Sequence, residues 1–235
     1  MTTLFAEVSR PTRRRASRIA GTTWDRLHDP HVQLEVVLAL VFLGALAAFG
    51  HIVEDYLTGD PIVRWDVEFS RWLHVHSSPT LVSLFSVVTW AGNAVVLAAV
   101  TLVGAALLVR AGRRRDAYVV LGGAIGIELL NAVLKLVFHR PRPELAYVHL
   151  DTYSFPSGHA AGSAAIYGIL LYLFARGRRP MIAVVCSVAY VVLVATICFS
   201  RLYLEVHYLS DVLAGASLGL AWAAGCVLLR ELNTS

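Results

Sequence analysis

Six stretches of about twenty mainly apolar residues follow one another along the chain, separated by short polar breaks. A hydrocarbon core of about 30 Å is crossed by roughly 20 residues of helix, and in lipid the backbone must satisfy its own hydrogen bonds. The pattern predicts an all-α integral membrane bundle of six transmembrane helices. The expected spans are 32–52, 81–109, 117–138, 157–174, 181–199 and 208–229. The second is long enough to tilt, or to begin as a surface helix before Gly92 and Asn93. With 57% hydrophobic and 15% charged residues, composition rules out an ordinary water-soluble domain.

Cytoplasmic loops near membrane ends are enriched in Lys and Arg. Arg10, Arg13, Arg14, Arg15, Arg18 and Arg26 precede the first span; Arg110, Arg113, Arg114 and Arg115 lie between the second and third. Arg176, Arg178 and Arg179 lie between the fourth and fifth, and Arg230 closes the sixth. Both termini are therefore expected in the cytoplasm. Residues 1–29 read as a basic tail and 30–235 as the transmembrane domain. The tail serves as a topology signal and a contact for anionic lipid, and not for nucleic acid, because membrane spans follow it. It lacks the short apolar run and cleavage site of a secretory signal, so the first span is expected to be retained.

In the outer loop 54–79, Ile62, Trp65, Phe69, Trp72 and Leu73 fall on one face of a helix, as in a segment lying at the interface. Cys186, Cys198 and Cys226 are far apart and inside expected helices, which implies neither a disulfide framework nor a zinc site.

Of the twenty Lys and Arg residues, six fall on the outer side: Arg64, Arg71, Lys135, Arg140, Arg142 and Arg201. Lys135 is the only lysine and stands near the outer end of the third span. In "KLVFHRPRPE", Pro141 and Pro143 stop the helix and carry Arg142 on a stiff loop. Arg140 reads as a solvated loop charge. "PSGH", residues 156–159, opens the fourth span. A helix N-terminus exposes unpaired N–H groups; Gly158 lets an anion approach them, and Ser157 can cap the helix or donate to a phosphate oxygen. In "SRLYLEVHYLSD", Arg201 leaves the fifth span, while His207 and Asp211, four apart, are expected to share a face of the sixth. Three cations, a helix-terminus anion site and two titratable bases, His159 and His207, are thus all expected at one membrane face. That set describes a phosphate pocket in which one histidine can attack phosphorus while the other protonates the leaving oxygen.

These residues resemble the three-part signature of the type 2 phosphatidic acid phosphatase superfamily, which includes the vanadium haloperoxidases. The pattern K-x6-R-P, P-S-G-H and S-R-x5-H-x3-D is met by Lys135 with Arg142-Pro143, by Pro156 to His159, and by Ser200-Arg201 with His207 and Asp211. The resemblance covers about residues 30–230 and selects Arg142 over Arg140 as the first-motif arginine. It implies that His207 is the nucleophile, Asp211 its orienter and His159 the general acid. It further implies that Lys135, Arg142, Ser157, Gly158 and Arg201 bind the phosphoryl oxygens, with no metal and no other cofactor.

The implied activity is hydrolysis of a phosphomonoester or pyrophosphate on an outer-leaflet lipid, through a phosphohistidine, in a plasma membrane with the site facing outward. Candidate substrates are undecaprenyl pyrophosphate, phosphatidylglycerol phosphate and phosphatidic acid. The alternative is a lipid or solute transporter or flippase, since polar groups inside a bundle can equally mark a pathway. A haloperoxidase ranks below the phosphatase because relatives with that activity are largely soluble. Glu128, seven residues before Lys135, is expected to make a structural polar contact within the bundle or to support the lysine.

Overall fold

The computed structural model describes residues 29–59, 61–148 and 150–233; the tail arginines Arg10 to Arg26 and His149 lie outside the described residues. The chain divides between Val37 and Leu38 into two compact units. The first contributes, among described residues, the start of helix α1 (Pro30–Thr58), where the Asp29 carboxylate accepts from His31 N at 2.9 Å. The second unit, from Leu38 onward, holds the rest of α1 and every other described helix. These are α2 (Pro61–His76), α3 (Pro79–Val88), a 3-10 turn (Thr89–Gly92), α4 (Ala94–Arg110), α5 (Arg114–Phe138), α6 (Gly158–Ala175), α7 (Pro180–Tyr203) and α8 (Leu209–Leu232).

Helices α1, α5, α6, α7 and α8 are each long and apolar enough to cross a membrane. A sixth candidate span is composite, because α3 and α4 pass the same test only together and bend by 42°. Asn93 is the cause of the break. Its backbone is extended (φ −69°, ψ 141°) and its side-chain oxygen accepts from Val95 N at 2.9 Å, so it caps a new helix instead of continuing the old one.

Helix α6 is apolar all round, as a central helix must be. Ala160, Ala161, Ser163, Ala164 and Ala165 are all at 1% exposure or less. Helix α8 reaches it closely through Gly215 and Gly219, a small-xxx-small pair. A Cβ at Gly219 would lie 2.3 Å from Ala161 O, and one at Gly215 would lie 2.4 Å from Ser157 O. Helix α7 is the opposite case: Val184, Val185, Val188, Val191 and Val192 are more than half exposed and form a face suited to lipid.

The helical face read from loop 54–79 splits in α2. Leu73 is buried and Phe69 packs against the same cluster, whereas Trp65 and Trp72 are 65% and 55% exposed. The inward row is completed by Asp66, an acid at 1% exposure. At the end of the bundle away from Lys135, arginines read as topology signals also hold helices together. Asp116 pairs with Arg113 at 2.6 Å and Arg230 at 2.9 Å, and Glu231 pairs with Arg176 at 3.1 Å.

Candidate active site

Helix α5 delivers Lys135 one turn before its end. His139 then takes a left-handed conformation (φ 48°), and Pro141 and Pro143 prevent any resumption of the helix. The chain returns antiparallel, with Ser154 N donating to Arg140 O at 2.9 Å, before α6 starts. Ser157 N donates to Asp211 O at 2.9 Å, so the first turns of α6 and α8 are joined by a backbone bond. Three segments far apart in sequence are thereby fixed around one cavity of about 340 Å³, lined by Lys135, Arg142, Gly158, His159, Arg201 and His207.

His207 is 3% exposed and sits in the turn between α7 and α8, two residues before α8 begins. It was expected on the helix itself; the first turn instead starts at Leu209, with Asp211 as its first acid. Asp211 Oδ2 lies 3.4 Å from Nδ1, within ion-pair distance, but Nδ1 itself is buried without a hydrogen bond. The other ring nitrogen, Nε2, is 3.2 Å from Arg142 Nη1. Burial first, and then the cations Arg201, Arg142 and Lys135, hold the pKa of this imidazole well below the ordinary histidine value, which favours the neutral ring, and its Nε2 lone pair accepts from Arg142 Nη1.

The cations are held by oxygens of the surrounding turns. Arg142 Nε donates to Thr152 O at 2.7 Å, Nη1 to Val206 O at 2.6 Å and Nη2 to Thr152 Oγ1 at 2.8 Å. The Lys135 ammonium donates to Tyr153 O and, at 3.5 Å, to Ser154 O. Arg201 lies in the last turn of α7, where the sequence placed it just beyond the helix, and Nη1 donates to Thr89 Oγ1 at 2.7 Å. Its Nε is buried with no partner, and so is the Ser157 hydroxyl, which does not cap α6. Ser157 and Asp211 are both at 0% exposure, packed behind the lining. Two unpaired buried donors beside a cation-lined cavity are what an anion would satisfy.

One expectation is corrected. Arg140 is no solvated loop charge: it is 5% exposed, pairs with Asp66 and Asp211 at 2.7 Å each, and lies over the rings of Tyr56 and Tyr208. Burial works against its charge, but the two carboxylates more than offset this and raise its pKa. Glu128, expected to make a polar contact within the bundle or to support Lys135, lines the same cavity, and the Lys135 ammonium donates to backbone carbonyls. Sequence reasoning missed Asp66, Ser210 and Thr152. One signal for Asp66 existed: Ile62, Asp66, Phe69 and Leu73 follow helical spacing, with an acid inside an apolar row. Among the described residues, no group of three His, Cys, Asp or Glu is placed to hold a metal ion.

A helical membrane bundle closing around a cationic cavity with two imidazoles is an anion site of lipid-embedded type. The model of the PAP2 superfamily matches residues 116–235, and the chain belongs to that superfamily. It is 40% identical to Bacillus subtilis phosphatidylglycerophosphatase B over 96 residues, which are 39% of this chain and 47% of that protein. It is 35% identical to Mycobacterium tuberculosis decaprenylphosphoryl-5-phosphoribose phosphatase over 123 residues, 50% of this chain and 62% of that protein. The chain thus spans less than two thirds of the length of these curated relatives. It is also similar to the crystal structure of a transmembrane PAP2 type phosphatidylglycerolphosphate phosphatase from Bacillus subtilis. There the TM-score is 0.68 at 27% identity, over 83% of this chain and 96% of that one.

Proposed function

We propose that the protein is a membrane lipid phosphatase that cleaves a phosphomonoester or pyrophosphate through a phosphohistidine on His207. The observation that carries this reading is the buried imidazole of His207 lining the cationic cavity, with Asp211 Oδ2 3.4 Å from Nδ1 and Nε2 accepting from Arg142 Nη1, a bond that opens when a phosphoryl group takes the guanidinium. Lys135, Arg142, Arg201, the α6 N-terminus at Gly158 and the Ser157 hydroxyl take the phosphoryl oxygens, whose charge they offset as it shifts in the transition state.

Nε2 attacks phosphorus as the bond to the leaving oxygen breaks, and His159 gives that oxygen a proton. Water then attacks the phosphohistidine, His159 takes its proton, and inorganic phosphate leaves. None of these steps requires a metal or other cofactor. Residues 30–235 form the phosphatase domain in a plasma membrane, with both termini cytoplasmic and the cavity facing outward. Support for that orientation comes from Arg110, Arg113, Arg176 and Arg230 at the opposite ends of the helices that carry the site.

Substrates are lipid phosphates of the phosphatidylglycerol phosphate, phosphatidic acid or undecaprenyl pyrophosphate class; the relatives named above carry phosphorylated lipids in their names. The test is phosphate release from a panel of these lipids in detergent, with EDTA present and a folded His207→Ala protein alongside. EDTA-resistant release that drops to background in the variant is the expected result. Full activity in His207→Ala overturns the nucleophile, and no release from any lipid by folded wild type overturns the phosphatase.

A further inference from the structure

Asp66 lies on α2, outside the residues matched by the family model, yet it reaches the Asp211 carboxylate through one side chain. Its Oδ1 accepts from Ser210 N at 2.8 Å, and its Oδ2 accepts from Arg140 Nη2 at 2.7 Å and Ser210 Oγ at 2.5 Å. Arg140 Nη1 donates to Asp211 Oδ1 and Ser210 Oγ, both at 2.7 Å. The remaining oxygen, Asp211 Oδ2, accepts from Tyr208 N at 2.9 Å and faces His207 Nδ1. Asp66, Arg140, Ser210 and Asp211 are between 0% and 5% exposed, so solvent cannot stand in for any of them.

Charge counting gives the network its sense. With Arg140 and Asp211 alone, one cation would offset much of the field that the Asp211 carboxylate presents to the imidazole. Asp66 supplies a second carboxylate to the same guanidinium, so one negative charge remains for the ring. That charge matters once Nε2 is bonded to phosphorus, because the ring then keeps its Nδ1 proton and is cationic. Helix α2 is tied to the same turn a second time, where His74 Nδ1 meets Glu205 Oε1 at 2.9 Å.

We propose that Asp66, acting through Arg140 and Ser210, is a positioning residue for the reaction: it offsets Arg140 so that Asp211 can orient and stabilise the ring of His207. The proposal rests on the phosphohistidine reading above. Two anions separate the possibilities without reference to the natural lipid. Orthovanadate takes a fifth, axial ligand and so reports the bond to His207, whereas inorganic phosphate reports anion binding alone.

Affinities for both are measured by calorimetry on detergent-solubilised wild type and variants of checked thermal stability. Asp66→Asn is expected to weaken vanadate about 10- to 100-fold and to change phosphate less than about twofold. In an Asp211→Asn background the same substitution is expected to have little further effect, since the path runs through Asp211. Glu68→Gln, on the exposed side of α2, leaves both affinities unchanged. Equal weakening of both anions, or full additivity with Asp211→Asn, overturns the proposal. If vanadate affinity survives His207→Ala, the nucleophile reading fails instead. If Asp66→Asn does not fold, the double variant Asp66→Asn/Arg140→Gln, which removes both charges and leaves Asp211 unopposed, is expected to hold vanadate within a few-fold of wild type, and a selective loss of vanadate there overturns the proposal.

Discussion

His207 and Arg142 illustrate how little a residue's type says until its neighbours are known. A histidine free in water titrates near 6.5, but burial and three cations push this one lower, so its neutral form persists as the pH falls below that value. The acid limb of kcat/KM for phosphate release is therefore expected below pH 6.5, activity being lost only as the pH drops through the lowered pKa. Arg142→Ala removes one of the cations, lets His207 protonate more easily and moves that limb toward higher pH, with a rise in KM from the lost phosphate ligand. A pH–rate profile of the two proteins checks both statements; an unmoved limb rejects the electrostatic account. Arg142 lines the cavity, the arginine that the motif spacing selects from local sequence alone. Arg140 could not be read that way, since its partners Asp66 and Asp211 are 74 and 71 residues away and nothing local announces them.

Among elements, the spans were legible wherever apolar length alone decides, as in α5 and α6. The break between α3 and α4 was legible only as an option, because Asn93 could equally have sat in a tilted continuous helix until its cap was seen. The closeness of α6 and α8 was not legible at all, since glycines in an apolar run do not say which neighbour they face. Its energetic consequence is specific. Gly219→Ala puts a methyl group 2.3 Å from the Ala161 carbonyl and is expected to cost about 1–3 kcal/mol, seen as a lower Tm in detergent. Gly122→Ala on α5 meets nothing within 4 Å and is expected to be neutral or to stabilise by about 0.5–1 kcal/mol. Similar Tm values for the two variants would dismiss the close contact as a determinant of stability.

For the whole molecule, the proposed orientation places the Arg176–Arg179 turn and the 139–157 segment on opposite sides of the membrane. In a protein whose three cysteines are replaced, Glu144→Cys is expected to react with an impermeant thiol reagent in intact cells, and Arg178→Cys only after permeabilisation. The reverse pattern inverts the topology. The backbone bond from Ser157 to Asp211 bears on a different question, that of redesign. It fastens motif to motif on the tightly packed α6 and α8, whereas the wall of the cavity at Asn93, Ala94 and Glu128 carries none of the proposed phosphate ligands. Directed evolution can therefore vary that wall at Ala94 and Glu128, sparing the Asn93 cap, to change what the cavity admits while the proposed reacting groups stay in register, in the way a lathe keeps its spindle when the jaws are exchanged.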